Sequence, residues 1–204
     1  MGLEQLRAKF AQDPTMYHPN FMGQDVGYGN IPSVKVGDLF MNRQELSDKL
    51  VHRPLQSGVG GRITDGAASV ILSGGYEDDV DMGNIIEYTG AGGQDDSGWG
   101  PYPKPQTKDQ PWGDSQKWLL KSYQLQKPVR VIRGAHCRSK YAPIEGFRYD
   151  GLYLVKAAYE TKGKRGYRIW KFQLERTEGQ KSLEELVEES CKPRQKRYTR
   201  RSRH

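Results

Sequence analysis

The stretch from Tyr167 to Glu175 constrains this chain most. Tyr167, Ile169, Lys171, Gln173 and Glu175 alternate with Arg168, Trp170, Phe172 and Leu174. A period of two puts three large apolar side chains on one face of a strand. Alternating or apolar runs recur at Val34–Phe40, Ala67–Leu72, Asn84–Tyr88, Val129–Arg133 and Leu152–Tyr159, each bounded by Gly, Pro or Asp turn signals. Helical patterns are fewer. They cover the polar stretch Asn42–Leu50, then Ser115–Gln124 before the stop at Lys127-Pro128, then Ser182–Ser190, which opens with a Ser182/Glu185 capping box. Strands outnumber helices, so the expected fold class is α+β: a twisted, barrel-like, largely antiparallel sheet with a few flanking helices.

Charge is distributed unevenly. Residues 1–116 hold 9 Lys/Arg against 16 Asp/Glu, residues 117–176 hold 15 against 4, and the tail after Cys191 holds seven basic residues and no acid. A basic middle third and a basic tail suit a polyanion, because each neutralised phosphate releases condensed counterions. A mean hydropathy of −0.86 goes with the absence of any apolar run long enough for a membrane span. The N-terminus lacks a basic-then-apolar leader. Cys137 and Cys191 make no disulfide framework, so a reducing compartment is expected. The four histidines and two cysteines form no ligand-spaced cluster, so neither metal nor cofactor is expected. Four parts are expected: an N-terminal arm over 1–25, one domain over 26–180, a helix over 181–190 and a disordered basic tail over 191–204. The Gly/Pro/Asp/Trp-rich stretch Gly90–Pro111 is too long for a simple connection and reads as a functional loop.

The chemistry gathers in Leu72-Ser73-Gly74-Gly75-Tyr76-Glu77-Asp78-Asp79-Val80-Asp81 and in Tyr88-Thr89-Gly90-Ala91-Gly92-Gly93. Paired glycines after a buried strand let a flat ligand approach the backbone. Two tyrosines sit just beyond strand ends, and carboxylates beside them can accept from an exocyclic amine. Those are the requirements for holding an extruded base. The same tyrosines could instead simply fill core, and Glu77, Asp78 and Asp81 read as solvated or turn-capping acids.

These blocks, with Val51-His52-Arg53-Pro54, Lys127-Pro128-Val129-Arg130-Val131-Ile132-Arg133, Ser139-Lys140-Tyr141-Ala142-Pro143 and Arg148-Tyr149-Asp150-Gly151-Leu152-Tyr153, resemble the SET-and-RING-associated (SRA, or YDG) family of methylcytosine readers, with its SRA/PUA-like fold. The resemblance runs in family order from about Ile31 to Arg176. It implies a base pocket in which Tyr76 and Tyr88 sandwich a flipped 5-methylcytosine and Asp79 accepts from its N4 amine. Thr89 would help on the Watson–Crick edge, Ser73, Gly74 and Gly75 would reach the O2 side, and Ala91 would line the space near the 5-position. The expected DNA contacts are Arg53, Gln56, Trp99, Lys104 and Arg133. Tyr149-Asp150-Gly151 reads as structural, a turn entering the strand from Leu152.

The resemblance is looser in two loops. Gln56 stands where the best-studied animal members carry an apolar residue, and Trp99-Gly100-Pro101 replaces an Asn-Lys-Arg finger, which leaves open the choice between hemimethylated, fully methylated and 5-hydroxymethylated sites. The implied function is a nuclear, non-enzymatic reader of double-stranded DNA carrying modified cytosine, in chromatin or methylation maintenance. Histone- or DNA-modifying enzymes are its expected partners. The rival readings are a modification-dependent nuclease, with Asp78, Asp79 and Asp81 holding a metal, and a restriction-specificity subunit.

Overall fold

The computed structural model describes residues 27–95 and 103–191. The expected N-terminal arm, Trp99 and the basic tail from Lys192 lie outside the described residues. Within them the chain forms one sheet from β1 (Leu39–Phe40), β2 (Val59–Arg62), β3 (Gly66–Leu72), β4 (Val80–Asp81), β5 (Ile85–Thr89), β6 (Val129–Gly134), β7 (Phe147–Lys162) and β8 (Arg168–Arg176). Three helices accompany it: α1 (Arg43–Asp48), α2 (Asp114–Leu125) and α3 (Leu183–Ser190). The strand order is β2-β3-β6-β7-β8-β5-β4, with β1 added on β7. Every pair is antiparallel except β3 with β6. The α+β expectation holds, but the sheet does not close into a barrel: β2 and β4 remain its edges.

β3 and β6 are buried along their whole length. That explains why both read as nearly continuous apolar runs rather than alternating ones. Val70, Leu72, Val129 and Val131 pack with Leu119 and Leu120 of α2 in the larger core, while Ile71 and Ile132 join Phe40, Leu46, Val51 and Tyr149 in the smaller one. Helix α2 is pinned to the sheet by Ser122, whose hydroxyl accepts from the Ala67 N–H at 2.8 Å. The Asn42 side chain caps α1 by accepting from Glu45 N–H, and the Ser182/Glu185 capping box of α3 forms as the sequence indicates.

β7 joins the two halves of the sheet. Its first part pairs with β6 through Tyr153, and from Tyr153 onward it pairs with β8. Tyr149-Asp150-Gly151 is therefore the interior of a strand, not a turn before one. Gly151, at φ 104°, faces a register shift between Val131 and Ile132, a bulge whose backbone only glycine adopts without strain. Three elements escape the sequence patterns, and one of them, β4, is too short at two residues to carry any period. β2 contains Gly60 and Gly61, which erase its alternation, and the strand expected from Val34 shrinks to Leu39–Phe40 because Val34 and Asp38 close turns onto Ile31 and Lys35.

Arg133 corrects an expectation. Its guanidinium is fully covered and has no surface to offer a phosphate. It grips Asp81 through two hydrogen bonds of 2.7 Å, donates to Asp150 at 2.7 Å and reaches the Gly83 carbonyl at 2.9 Å. Arg148 completes the network by donating to Asp150, to the Tyr141 carbonyl and to Ser190 of α3. Asp81, expected to be solvated or turn-capping, also caps the Gly83 N–H but is buried. Removing one partner of such a network strands the others, at a cost of about 3–5 kcal/mol. Arg133→Met should therefore lower unfolding stability by roughly that amount in urea titrations. A variant of unchanged stability would refute the structural role.

Candidate nucleic-acid interface

The end of β3 sets the geometry of the interface. After Leu72 the chain turns through Ser73, Gly74 and Gly75, all half-buried. Gly74 has φ 74°, and a Cβ there would lie 2.2 Å from the His136 carbonyl oxygen. No side chain fits, so the backbone stays open. Tyr76 forms an isolated bridge with Lys104, and its phenol oxygen accepts from the Gly92 N–H at 2.8 Å. Gln94 donates to the carbonyls of Gly75 and Lys104, both at 2.8 Å. Three segments distant in sequence are thus laced around one site.

The second wall comes from the end of β5. Tyr88 is 3% exposed and belongs to the main core, while its hydroxyl donates to the Gly58 carbonyl at 3.2 Å. It is thus a core residue, as one reading of the sequence allowed, yet it stands next to the site. Burial raises its phenol pKa far above the ordinary value, helped by neighbouring Asp79 and Tyr76. Thr89 follows, and its N–H donates to Asp79 Oδ1 at 2.8 Å. Burial pushes the Asp79 carboxyl up to about 6, against hydrogen bonds from the Thr89 backbone and side chain and the pull of Lys171. The loop from Gly90 to Gly93 is braced from behind. Gln110 donates to Gly90 O, Gln116 to Ala91 O, both at 2.6 Å, and Gln106 to Gly92 O at 3.1 Å. Tyr76, Asp79, Tyr88, Thr89 and Ala91 therefore come together from two separate strand ends.

The neighbouring acids are structural. Asp78 accepts from the Lys164 N–H at 2.9 Å, and Glu77 accepts from Arg165 at 2.8 Å. These bonds bring the β7–β8 turn, with its exposed Lys162, Lys164 and Arg165, beside the pocket loop. Among the described residues no group of three His, Cys, Asp or Glu is arranged to hold a metal ion.

Arg53 is half-buried, and Leu55 and Gln56 are exposed at the tip of a loop whose two ends are tied down. Its near end is held by Ser47, which donates to the Arg53 carbonyl at 2.8 Å. At its far end the Ser57 carbonyl accepts from Arg43 at 2.7 Å and from His52 Nε2 at 2.9 Å. A carbonyl only accepts, so Nε2 carries the imidazole hydrogen and Nδ1 accepts from the Ser69 hydroxyl at 2.8 Å. Lys104 is half-buried beside Tyr76, at the far end of the segment that holds Trp99. The sequence reading missed His52, Lys171 and the three bracing glutamines. Only the position of His52 inside the Val51–Pro54 block hinted at any of them.

The SAD/SRA domain family matches residues 27–180, and the chain belongs to that family. It is 43% identical over 166 residues to the E3 ubiquitin-protein ligase UHRF1 of Xenopus laevis, covering 73% of this chain and 21% of that protein. It spans about a fifth of the length of the UHRF1 relatives it matches. Among solved structures it is similar to the modification-dependent TagI restriction endonuclease, with 37% identity and a TM-score of 0.70 over 76% of this chain and 54% of that one. It is also similar to the SUVH5 SRA domain in complex with methylated CHH DNA, with 38% identity and a TM-score of 0.63 over 77% of this chain and 98% of that one. The SUVH5 domain has also been solved bound to fully hydroxymethylated CG DNA.

Burial lowers the His52 pKa from its ordinary 6.5 to about 4. A depressed folded pKa gives stability that is complete above the unfolded value and is lost as pH falls toward the folded one. His52, relative to a non-titrating glutamine in the same place, should therefore lose roughly 3 kcal/mol of its advantage between pH 6.5 and 4. Paired denaturation of wild type and His52→Gln across that range reads it. A constant difference would mean that His52 is not buried in the neutral form.

Proposed function

We propose that this chain is a DNA-binding reader that extrudes a 5-modified cytosine from the duplex and holds it between Tyr76 and Tyr88. Asp79 accepts from the N4 amine, Thr89 lies on the same edge, Ala91 sits toward the 5-position, and the backbone of Ser73, Gly74 and Gly75 faces O2. The observation that carries the reading is the convergence of those side chains with a carboxylate locked by the Thr89 N–H. Kinship with the SUVH5 domain, whose complexes contain methylated or hydroxymethylated DNA, supports both modifications as ligands. Arg53, Gln56, Trp99 and Lys104 remain the proposed DNA contacts, and the basic β7–β8 turn joins them. Residues 26–180 act as the reading module, with helix 181–190 and tail 191–204 appended. The same reading assigns the chain to the nucleus, with histone- or DNA-modifying enzymes as partners and no catalysis of its own. Likeness to a restriction endonuclease supplies the alternative, for which metal-dependent strand cleavage is the signature.

Energetics define what the pocket has to do. Extruding a base costs a few kcal/mol, which stacking on two tyrosines offsets at about 1–3 kcal/mol per contact. Phosphate contacts add affinity without choosing a base. Burying one methyl group contributes about 0.8 kcal/mol, roughly fourfold in affinity. Yet thymine carries that same methyl. Only the amine at position 4 and the bare N3 separate 5-methylcytosine from it, so the carboxylate must make that distinction. Its lone pairs attract the amine and repel the thymine O4.

Duplexes carrying 5-methylcytosine or thymine opposite the same guanine, and unmodified cytosine, test this directly. The wild-type protein should favour 5-methylcytosine over both. Asp79→Asn, whose amide can donate to O4, should lower the 5-methylcytosine-to-thymine ratio by about tenfold or more, the size of one charge-assisted hydrogen bond. An unchanged ratio removes Asp79 from base recognition. Strand loss with magnesium would favour the nuclease.

A further inference from the structure

We propose that Lys171 is a positioning residue for this pocket: its ammonium, clamped beneath the β4–β5 hairpin, orients the Thr89 hydroxyl and keeps Asp79 an acceptor. The inference rests on the pocket reading above and adds to it the group that fixes its hydrogen-bonding polarity.

Lys171 lies on β8, directly opposite Thr89 in the antiparallel register. On its alternating strand it falls on the face opposite Trp170 and Phe172, where an exposed lysine is the ordinary outcome. Instead it is 7% exposed. Its ammonium donates to the Asp78 carbonyl, to the Glu87 carbonyl at 3.1 Å and to Thr89 Oγ1 at 3.3 Å. Three donors thus meet three acceptors, and the ammonium is fully used. The consequence lies at Thr89. An ammonium only donates, so Thr89 Oγ1 must accept from it, and the hydroxyl hydrogen is free to turn toward Asp79, whose carboxylate lies against the same residue through the Thr89 N–H. The order of donation runs Lys171 to Thr89 to Asp79. Asp79 already accepts from the Thr89 N–H, so both links favour its ionised form, and the base edge meets lone pairs rather than an acid proton.

The charged and titratable surroundings agree with this assignment. Around the pair of Asp79 and Lys171 stand Asp78 from the pocket loop, Tyr76 before it, Glu87 and Tyr88 from β5, and Lys164 from the β7–β8 turn. Burial and Asp78 oppose ionisation of Asp79, while Lys171 favours it. Lys171 itself is lowered by burial and sustained by Asp79, Glu87 and Asp78 against the like charge of Lys164. A neutral Asp79 would be a different reader. Its O–H could donate to the thymine O4, as the asparagine amide would.

The experiment measures the 5-methylcytosine-to-thymine affinity ratio from pH 5 to 8.5, together with the carboxyl titration of Asp79 by carbon NMR in the free protein. In the wild type the ratio should fall as pH drops through about 6, where Asp79 takes up its proton. Lys171→Met should move both midpoints upward by about 1 pH unit or more, the usual effect of an opposite charge at this range. Lys171→Arg, which keeps the charge, should restore them toward the wild type. Circular dichroism and melting report whether each variant folds. If Lys171→Met does not fold, Thr89→Val cuts the same link with nearly the same shape and should raise the midpoint, whereas Thr89→Ser should not. Unmoved midpoints in folded Lys171→Met or Thr89→Val overturn the role of Lys171. A wild-type protein with no preference for 5-methylcytosine overturns the pocket reading itself, while the NMR titration still reports on the link between Lys171 and Asp79.

Discussion

Two arginines and two aspartates, closed off from water between the sheet and α3, hold the rest of this structure in place. Arg133 on β6 grips Asp81 on β4 and Asp150 on β7, and Arg148 on β7 shares Asp150 and reaches into α3. β4 is only two residues long and forms an edge of the sheet. Such a strand has little pairing of its own to keep it in register. The network supplies what it lacks, because a buried ion pair tolerates little displacement before it leaves a charge unpaired. Asp79 and Tyr76 immediately precede this anchored strand and Tyr88 follows it in the hairpin, so the network fixes the pocket without touching it.

Charge is handled differently at the rim. The pocket loop is acidic, which is an awkward property beside a polyanion. Glu77 and Asp78 are both engaged by the β7–β8 turn, through Arg165 and the Lys164 N–H. Lys171 neutralises the loop from below through its bonds to Asp78, Glu87 and Thr89. The acids thereby serve as attachment points for cations, and the face beside the pocket presents Lys162, Lys164 and Arg165. That arrangement lets one carboxylate remain available for a base while a phosphate backbone passes nearby.

Long strands with clear patterning were legible in the sequence: β3, β6 and β8 fall within a residue or so of their expected spans, and so do α2 and α3. Their signals are local, being period, turn residues and a capping box. β2 was not legible, because Gly60 and Gly61 carry no pattern. The bulge at Gly151 looked like a turn because a positive φ glycine marks either one, and only pairing with β6 tells them apart. The expectation of Arg133 as a DNA contact came with the family resemblance of its block, yet the partners that bury it lie 52 and 17 residues away. Asp81 was misjudged for the same reason. Lys171 sits in the strand that was read most clearly, and its alternation made it look solvent-facing; the hairpin that covers it comes from a distant part of the chain. Composition reports how much charge there is, and only the fold reports which charges are already spent on each other.

The same geometry separates two tasks that a base-extruding protein has to perform. In the proposed reading, identity of the base falls to Tyr76, Asp79, Tyr88 and Thr89, each held by a hydrogen bond inside the fold. In the same reading the gap in the duplex is filled by loops, and the loop from Arg53 to Ser57 is fastened at its ends by Ser47, Arg43 and His52. Its tip, Leu55 and Gln56, is exposed and carries none of that framework. Tyr88 touches the loop through the Gly58 carbonyl, past the second anchor, so a change at the tip need not reach the pocket. A polar Gln56 is therefore compatible with an intact pocket. Sequence context and strand preference can vary at such tips while the recognition of the modified base, held by packed and paired groups, stays the same.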